Sequence, residues 1–255
     1  MKTVYVCNDT VTGIFSAIHD AWKAGKTEYD SGIAFRGMVD AEFFCDYVEV
    51  EENQKKAILV ENLIKKHLGQ LAYWSIYHAA LSEAFDKGDA ILGTMMAAKN
   101  LRDSTRIMEH LSHPKVERVF ELSRKVGGEA HLMKGFLRFQ ELENGILYAK
   151  ITPKAQILTC IAPHFADRLP LENWMIHDAA HHMFVVHEAQ KKWVLLWDKE
   201  LDLEGRLKHS ANELVFEKLW KDFCKTIAIE ERNNPKCQRQ HLPLRFRPDM
   251  IEFGT

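Results

Sequence analysis

The sequence predicts an α+β protein: a helix-rich N-terminal half packed with an antiparallel sheet lobe (β-β-α-β-β-β), followed by a C-terminal helix and a basic segment. Three observations predict it. Apolar residues recur at helical spacing through the first half, the period turns to alternation after Gly128, and strand-length apolar runs from Trp174 to Trp197 give way to helical spacing again at Ser210. The expected organisation is a mainly helical lobe with an N-terminal strand over 1–128, the sheet lobe over 129–200, and the C-terminal helix with the basic segment over 201–255, all within one compact unit.

Taken in order, Thr3 to Cys7 reads as a short strand. Asn8-Asp9-Thr10 then supplies N-cap chemistry for a helix carrying Ile14, Phe15, Ile18 and Trp22, which Gly25 ends. A second strand is expected around Val48 and Val50. Gln54 to Phe85 reads as two helices joined tightly near Gly69, Asp89 as the cap of a helix through Met95 and Met96, and Asp103 as the cap of one that runs to Val126 with an interruption at His113-Pro114. The methionines at helical spacing are core filling. Gly127-Gly128 closes the helical half.

Beyond it, His131 to Phe139 alternates, with Lys134, Phe136 and Arg138 on one face. Asn144-Gly145 is a hairpin turn, and Ile146 to Ile151 sets Tyr148 and Lys150 against Leu147, Ala149 and Ile151. The hairpin then has one oily face and one aromatic-basic face. Lysine stems covering a solvated face explain the second face as well as base stacking does. Pro153 opens a helix through Ile157, Leu158, Ile161 and Phe165, and three strands follow at Trp174–His177, Met183–His187 and Trp193–Trp197. A last helix from about Ser210 carries Leu214, Phe216, Leu219, Trp220, Phe223 and Ile227.

Hydrophobic residues make up 46% and charged residues 27%, the composition of an ordinary globular protein rather than a disordered one. No apolar window is long enough to span a bilayer and the N-terminus lacks a signal-peptide core, so a cytoplasmic location with no membrane partner is expected. The five scattered cysteines suggest neither a disulfide framework nor a zinc ribbon. There is no Walker phosphate loop, dinucleotide fingerprint or Gly-x-Ser-x-Gly elbow, and no cofactor is implied.

Although the formal net charge is -2, residues 232–247 carry five cations, Arg232, Lys236, Arg239, Arg245 and Arg247, and no carboxylate. Asn233, Asn234, Gln238, Gln240 and His241 sit between them, side chains that donate to phosphates or base edges. A polyanion suits this mixture, while a solvated charge run is the plainer use. His164, Asp167 and Arg168 fall within about one helical turn, so that His164 and Asp167 can move a proton or Arg168 clamp a phosphate; an ion pair on the helix surface is the simpler alternative. Glu230 and Glu231 offer carboxylates beside the basic segment, Glu231 as an acid or base and both as partners for its cations. His177 and His181 would sit at metal-ligand spacing on a helix, but the flanking apolar runs place them in a strand and its turn, which argues against a metal.

The run from Ile227 to Pro243, with Lys134-Gly135-Phe136-Leu137-Arg138-Phe139, His164-Phe165-Ala166-Asp167-Arg168 and Trp174-Met175-Ile176-His177-Asp178, resembles a bacterial family catalogued under DNA repair or DNA metabolism. Genes of that family commonly lie beside one for a radical-SAM protein, and the domain also occurs fused to a uracil-DNA-glycosylase-like module. The resemblance implies a process and a partner and no reaction. Lacking a cysteine triplet for an iron–sulfur cluster, this chain is not itself the radical-SAM enzyme.

Three functions stay open. The leading one is a nucleic-acid-binding accessory protein in DNA repair or modification that works with a radical-SAM partner on single-stranded or damaged DNA. In it the basic segment grips phosphates, and Lys134, Phe136, Arg138 and Tyr148 stack an exposed base. The others are a glycosylase-like enzyme acting on a damaged or modified nucleobase, and a scaffold whose basic segment meets an acidic partner.

Overall fold

Val4, Tyr5 and Val6 are strand formers followed by turn-forming Asn8-Asp9, and they fold as β1 (Lys2–Cys7). The structure is a computed structural model that describes residues 1–25, 27, 29–38, 43–197 and 207–253. The chain divides into two compact units, Met1–Gly128 and Glu129–Thr255. The boundary expected near residue 200 falls among 198–206, outside the described residues.

In the first unit β1 is the middle strand of a parallel sheet, between β2 (Ser31–Phe35) and β3 (Cys45–Glu49). Its buried run from Thr3 to Cys7 fits a central strand covered on both faces. β2 carries no strand signal in the sequence, because Ser31-Gly32 reads locally as a turn. Thr10 caps α1 (Val11–Lys23), its hydroxyl accepting from Gly13 N at 2.9 Å, and buried Ile14, Phe15 and Ile18 face the core. α2 (Gln54–His67) and α3 (Gly69–Ala80) join at Gly69, whose φ of +85° favours glycine. Asp89 does not cap α4 (Lys87–Ala98): it sits inside the first turn, where its carboxylate accepts from Ile33 N at 2.6 Å and ties the helix to β2.

The expected strand from His131 to Phe139 is instead the end of a long helix, α5 (Pro114–Phe136). Buried Val116, Val119, Leu122, Val126, Ala130 and Met133 follow one another at intervals of three or four, which is helical spacing carried straight through Gly127-Gly128. Each glycine costs the helix about 1 kcal/mol against alanine, and the apolar stripe on both sides of the pair offsets that cost. The interruption expected at His113-Pro114 is real, since a 3-10 helix at Ser104–Glu109 precedes it and Pro114 opens α5.

The second unit holds a five-stranded sheet in the order β4 (Gln140–Glu141), β5 (Leu147–Ile151), β6 (Trp174–Asp178), β7 (Met183–His187) and β8 (Val194–Trp197). The element order β-β-α-β-β-β is present, with α6 (Leu158–Arg168) after β5. The sheet is mixed rather than wholly antiparallel, because β5 and β6 pair in parallel. A strand–helix–strand crossover returns the chain in the same direction, whereas the hairpins on either side reverse it. Gly145, at φ +77°, makes the first of those reversals. Trp174, Ile176 and Val185 are buried on one face, where Trp174 meets Phe165 of α6, and Phe184 on the opposite face packs with Leu142, Tyr148 and Met175. Among the described residues no helix is long and apolar enough to cross a membrane.

Candidate nucleic-acid interface

The C-terminal helix α7 (Ala211–Thr226) starts at Ser210, whose hydroxyl accepts from Glu213 N at 3.1 Å. Glu213, three residues on, completes a Ser-x-x-Glu pattern, yet its carboxylate accepts from Glu141 N at 2.9 Å and so ties the helix to β4. From there the helix turns an apolar stripe outward. Phe216, Leu219, Trp220, Phe223 and Ile227 fall along one side of the helix and are all exposed, Phe216 by 63%. An amphipathic pattern shows that a face is apolar without showing that it is covered.

After a 3-10 turn at Glu230–Arg232, Asn234 caps a second short helix, α8 (Pro235–His241), accepting from Cys237 N at 3.0 Å, with Pro235 in the first turn. The side chain of Glu230 lies outside the described residues. Every residue from Glu231 to His241 is exposed. By helical spacing Lys236, Arg239 and Gln240 share one side of α8, while Gln238 on the other accepts from Arg247 Nη2 at 3.2 Å. Arg239 Nε donates to Pro235 O at 3.1 Å. Among the described residues no carboxylate meets Arg232, Lys236, Arg239 or His241.

The remaining cations of the segment are committed elsewhere. Arg245 Nη1 lies 2.9 Å from Glu129 Oε1, and the buried Glu129 carboxylate also accepts from the backbone N–H groups of Lys154 and Ala155. Phe246 is buried beside Phe136, with ring centres 5.2 Å apart. Arg247 lies over the Phe253 ring at 4.8 Å. Arg138 binds Glu252 through Nη2 at 2.7 Å and Nε at 3.3 Å. Burial pushes the Glu252 carboxyl up, but the Arg138 bonds outweigh it, and the group sits below the usual carboxylate range.

The aromatic-basic sheet face is not assembled. Lys134 and Phe136 ride on α5, Phe136 is packed, and Tyr148 is buried in β5 with its hydroxyl 2.9 Å from His177 Nδ1. The histidines are held separately: the His177 ring stacks on Phe184 at 4.2 Å, and His181 Nδ1 lies 2.7 Å from Asp178 Oδ2. Among the described residues no group of three or more His, Cys, Asp and Glu gathers as a metal would need. On α6, Asp167 and Arg168 are exposed, and His164 meets Phe165 edge-on at 5.0 Å.

Sequence reasoning missed a buried charge in the first unit. Lys87 is 1% exposed, its ammonium 2.5 Å from Asp9 Oδ1 and donating to Ser82 O at 2.5 Å, with Phe35 beneath it at 5.2 Å. A lysine at a helix start gives no signal of such burial. Nearby, burial and the charges of Asp9 and Glu52 push the Cys7 thiol up to about 12, which keeps it protonated and unreactive.

A family model described as a domain of unknown function, DUF4130, matches residues 86–252, more than half of the chain. No curated protein matches it.

Proposed function

The chain belongs to the DUF4130 family, and we propose that it is a nucleic-acid-binding accessory protein of DNA repair or modification, gripping phosphates through α8 and acting beside a radical-SAM enzyme. The repair setting and the partner rest on the resemblance of the Ile227–Pro243 signature. The grip rests on one observation: Arg232, Lys236 and Arg239 stand exposed with no carboxylate partner among the described residues, while Arg36, Arg118, Arg138 and Arg245 are each held by one. In a chain of net charge -2 the attraction for a polyanion has to be local, and these three cations lie within residues 232–239 with no carboxylate among them.

The test is anisotropy of labelled single-stranded and duplex DNA over a range of salt. Three phosphate contacts give a slope of log affinity against log salt of about -2 to -3, since each contributes about 0.7 on a single strand and about 0.9 on a duplex. A chain that binds neither form at low salt ends the reading.

A second reading has its own support in the stripe of α7. Five large apolar side chains flanked by Lys218, Lys221 and Lys225 suit an acidic-rimmed groove on a protein partner. Substitution separates the two, because Lys236→Ala with Arg239→Ala releases a partner held on α8, and Leu219→Ala with Phe223→Ala releases one held by the stripe of α7.

A further inference from the structure

Resting on the nucleic-acid reading, we propose that a cleft between the end of α5 and α7 receives an unstacked nucleobase that carries an exocyclic amine. The cleft has a volume of about 470 Å³, within the range of roughly 300–1,000 Å³ usual for small-molecule sites. Rings of Phe139, Phe216 and Trp220 line it, with Arg138, Glu213 and Glu217 as its charged groups. All belong to the second unit. Aromatic walls open to solvent are the usual platform for bases outside a duplex.

The platform is already fixed. The Arg138 guanidinium, itself held by Glu252, lies 5.7 Å from the Trp220 ring centre. Phe139 is wedged edge-on against Phe165 at 5.3 Å. A base entering the cleft therefore meets rings that need little ordering.

Which base follows from the hydrogen-bonding capacity left over. Four of the five Arg138 N–H groups are taken, Nε and one on Nη2 by Glu252 and both on Nη1 by the carbonyls of Gly135 and Leu137 at 2.9 and 3.2 Å, so that one Nη2 N–H stands against two carboxylates. The carboxylates are not exhausted. Glu213 takes the Glu141 N–H and Glu217 takes Lys221 at 2.9 Å, and a carboxylate has about four lone-pair sites. The cleft thus offers acceptors. Cytosine, adenine and guanine present amines with two N–H donors each, whereas thymine and uracil present a single N3–H set between two carbonyl oxygens that a carboxylate repels.

The test compares oligo(dC), oligo(dA) and oligo(dT) on the full chain and on four variants: Trp220→Ala, Trp220→Phe, Glu217→Gln, and Lys236→Ala with Arg239→Ala. We expect wild type to prefer oligo(dC) and oligo(dA) over oligo(dT) by about 5-fold or more. Glu217→Gln, whose amide both donates and accepts, should erase most of that preference. Trp220→Ala should lose about 10-fold or more at an unchanged salt slope, while Trp220→Phe keeps most of the affinity and all of the preference. The α8 pair should do the reverse, lowering the slope and leaving the preference.

If wild type binds with a salt slope but shows no base preference and ignores Trp220→Ala, the cleft proposal is overturned and the phosphate grip stands. If no oligonucleotide binds at all, the grip fails and the cleft falls with it. An arginine-rich peptide that binds wild type and is lost with Glu217→Gln, without affecting DNA, would overturn the proposal by making the cleft a cation site. Should Trp220→Ala not fold, the base preference of Glu217→Gln decides alone, because that change removes only a helix-surface ion pair.

Discussion

Arg232, Lys236 and Arg239 stand a few residues before Arg245 and Arg247 in one run without a carboxylate, and the fold puts the two groups to different uses. The first three stay in water, Arg232 at the end of a 3-10 turn and Lys236 and Arg239 on a short helix with nothing buried. The other two are drawn back to Glu129, Phe246 and Phe253 and help to close the second unit. A basic cluster therefore does not act as a unit: what decides each cation is whether the fold brings it a carboxylate or a ring.

The sharpest way to break this contrast is Arg245→Ala. It strands the Glu129 carboxylate, which is 6% exposed, without its charge partner. A fully buried pair would cost about 3–5 kcal/mol, and because the Arg245 side chain is 40% exposed the expectation drops to about 1–3 kcal/mol, read from the urea midpoint. The DNA salt slope of the folded fraction should not change. If Arg245→Ala instead leaves the midpoint alone and lowers the slope, the two groups are not distinct.

Lys236→Ala with Arg239→Ala should do the opposite. The salt slope falls by about 1 to 2 and affinity drops about 10-fold or more, while the urea midpoint stays within about 0.5 kcal/mol of wild type.

Acid sharpens the comparison on the paired side. The folded Glu252 carboxyl sits below its unfolded value of about 4.3, so the Arg138–Glu252 contact stabilises the protein above that pH and is lost as pH falls through the lowered folded value. Urea midpoints between pH about 6 and about 3 should decline less steeply in Glu252→Gln than in wild type. Equal slopes would show that the pair adds no pH dependence.

The smallest effect concerns the cap of α8. Asn234→Ala removes the bond to Cys237 N and should cost that helix about 1 kcal/mol, seen as faster amide exchange in 237–241 and a few-fold weaker DNA binding at an unchanged global midpoint. Unchanged exchange would mean that α8 is held by something other than its cap.

Local chemistry carried its structure into the sequence wherever a few neighbouring residues decide the outcome. Thr10 and Asn234 cap their helices, Gly69 divides α2 from α3, and Met183–His187 pairs as a strand. What stayed hidden depends on residues far along the chain. Gly127-Gly128 looks like a stop until the stripe from Val116 to Met133 is followed across it. β5 and β6 each read as strands, but nothing inside either says that they pair in parallel. The charge excess of residues 232–247 was legible, and its division was not, because Glu129 lies over a hundred residues upstream of Arg245. The stripe of α7 was legible as apolar, and its exposure was not, for periodicity says nothing of what lies opposite.

On the proposed reading, leftover positive charge in and just before α8, and not the basic segment as a whole, meets the polyanion. The most direct test is the salt slope for a short single-stranded DNA, measured side by side for wild type, for Arg232→Ala with Lys236→Ala and Arg239→Ala, and for Arg245→Ala. Wild type and Arg245→Ala should show a slope of about -2 to -3, and the triple variant a slope near zero. A triple variant that keeps the wild-type slope would contradict that reading.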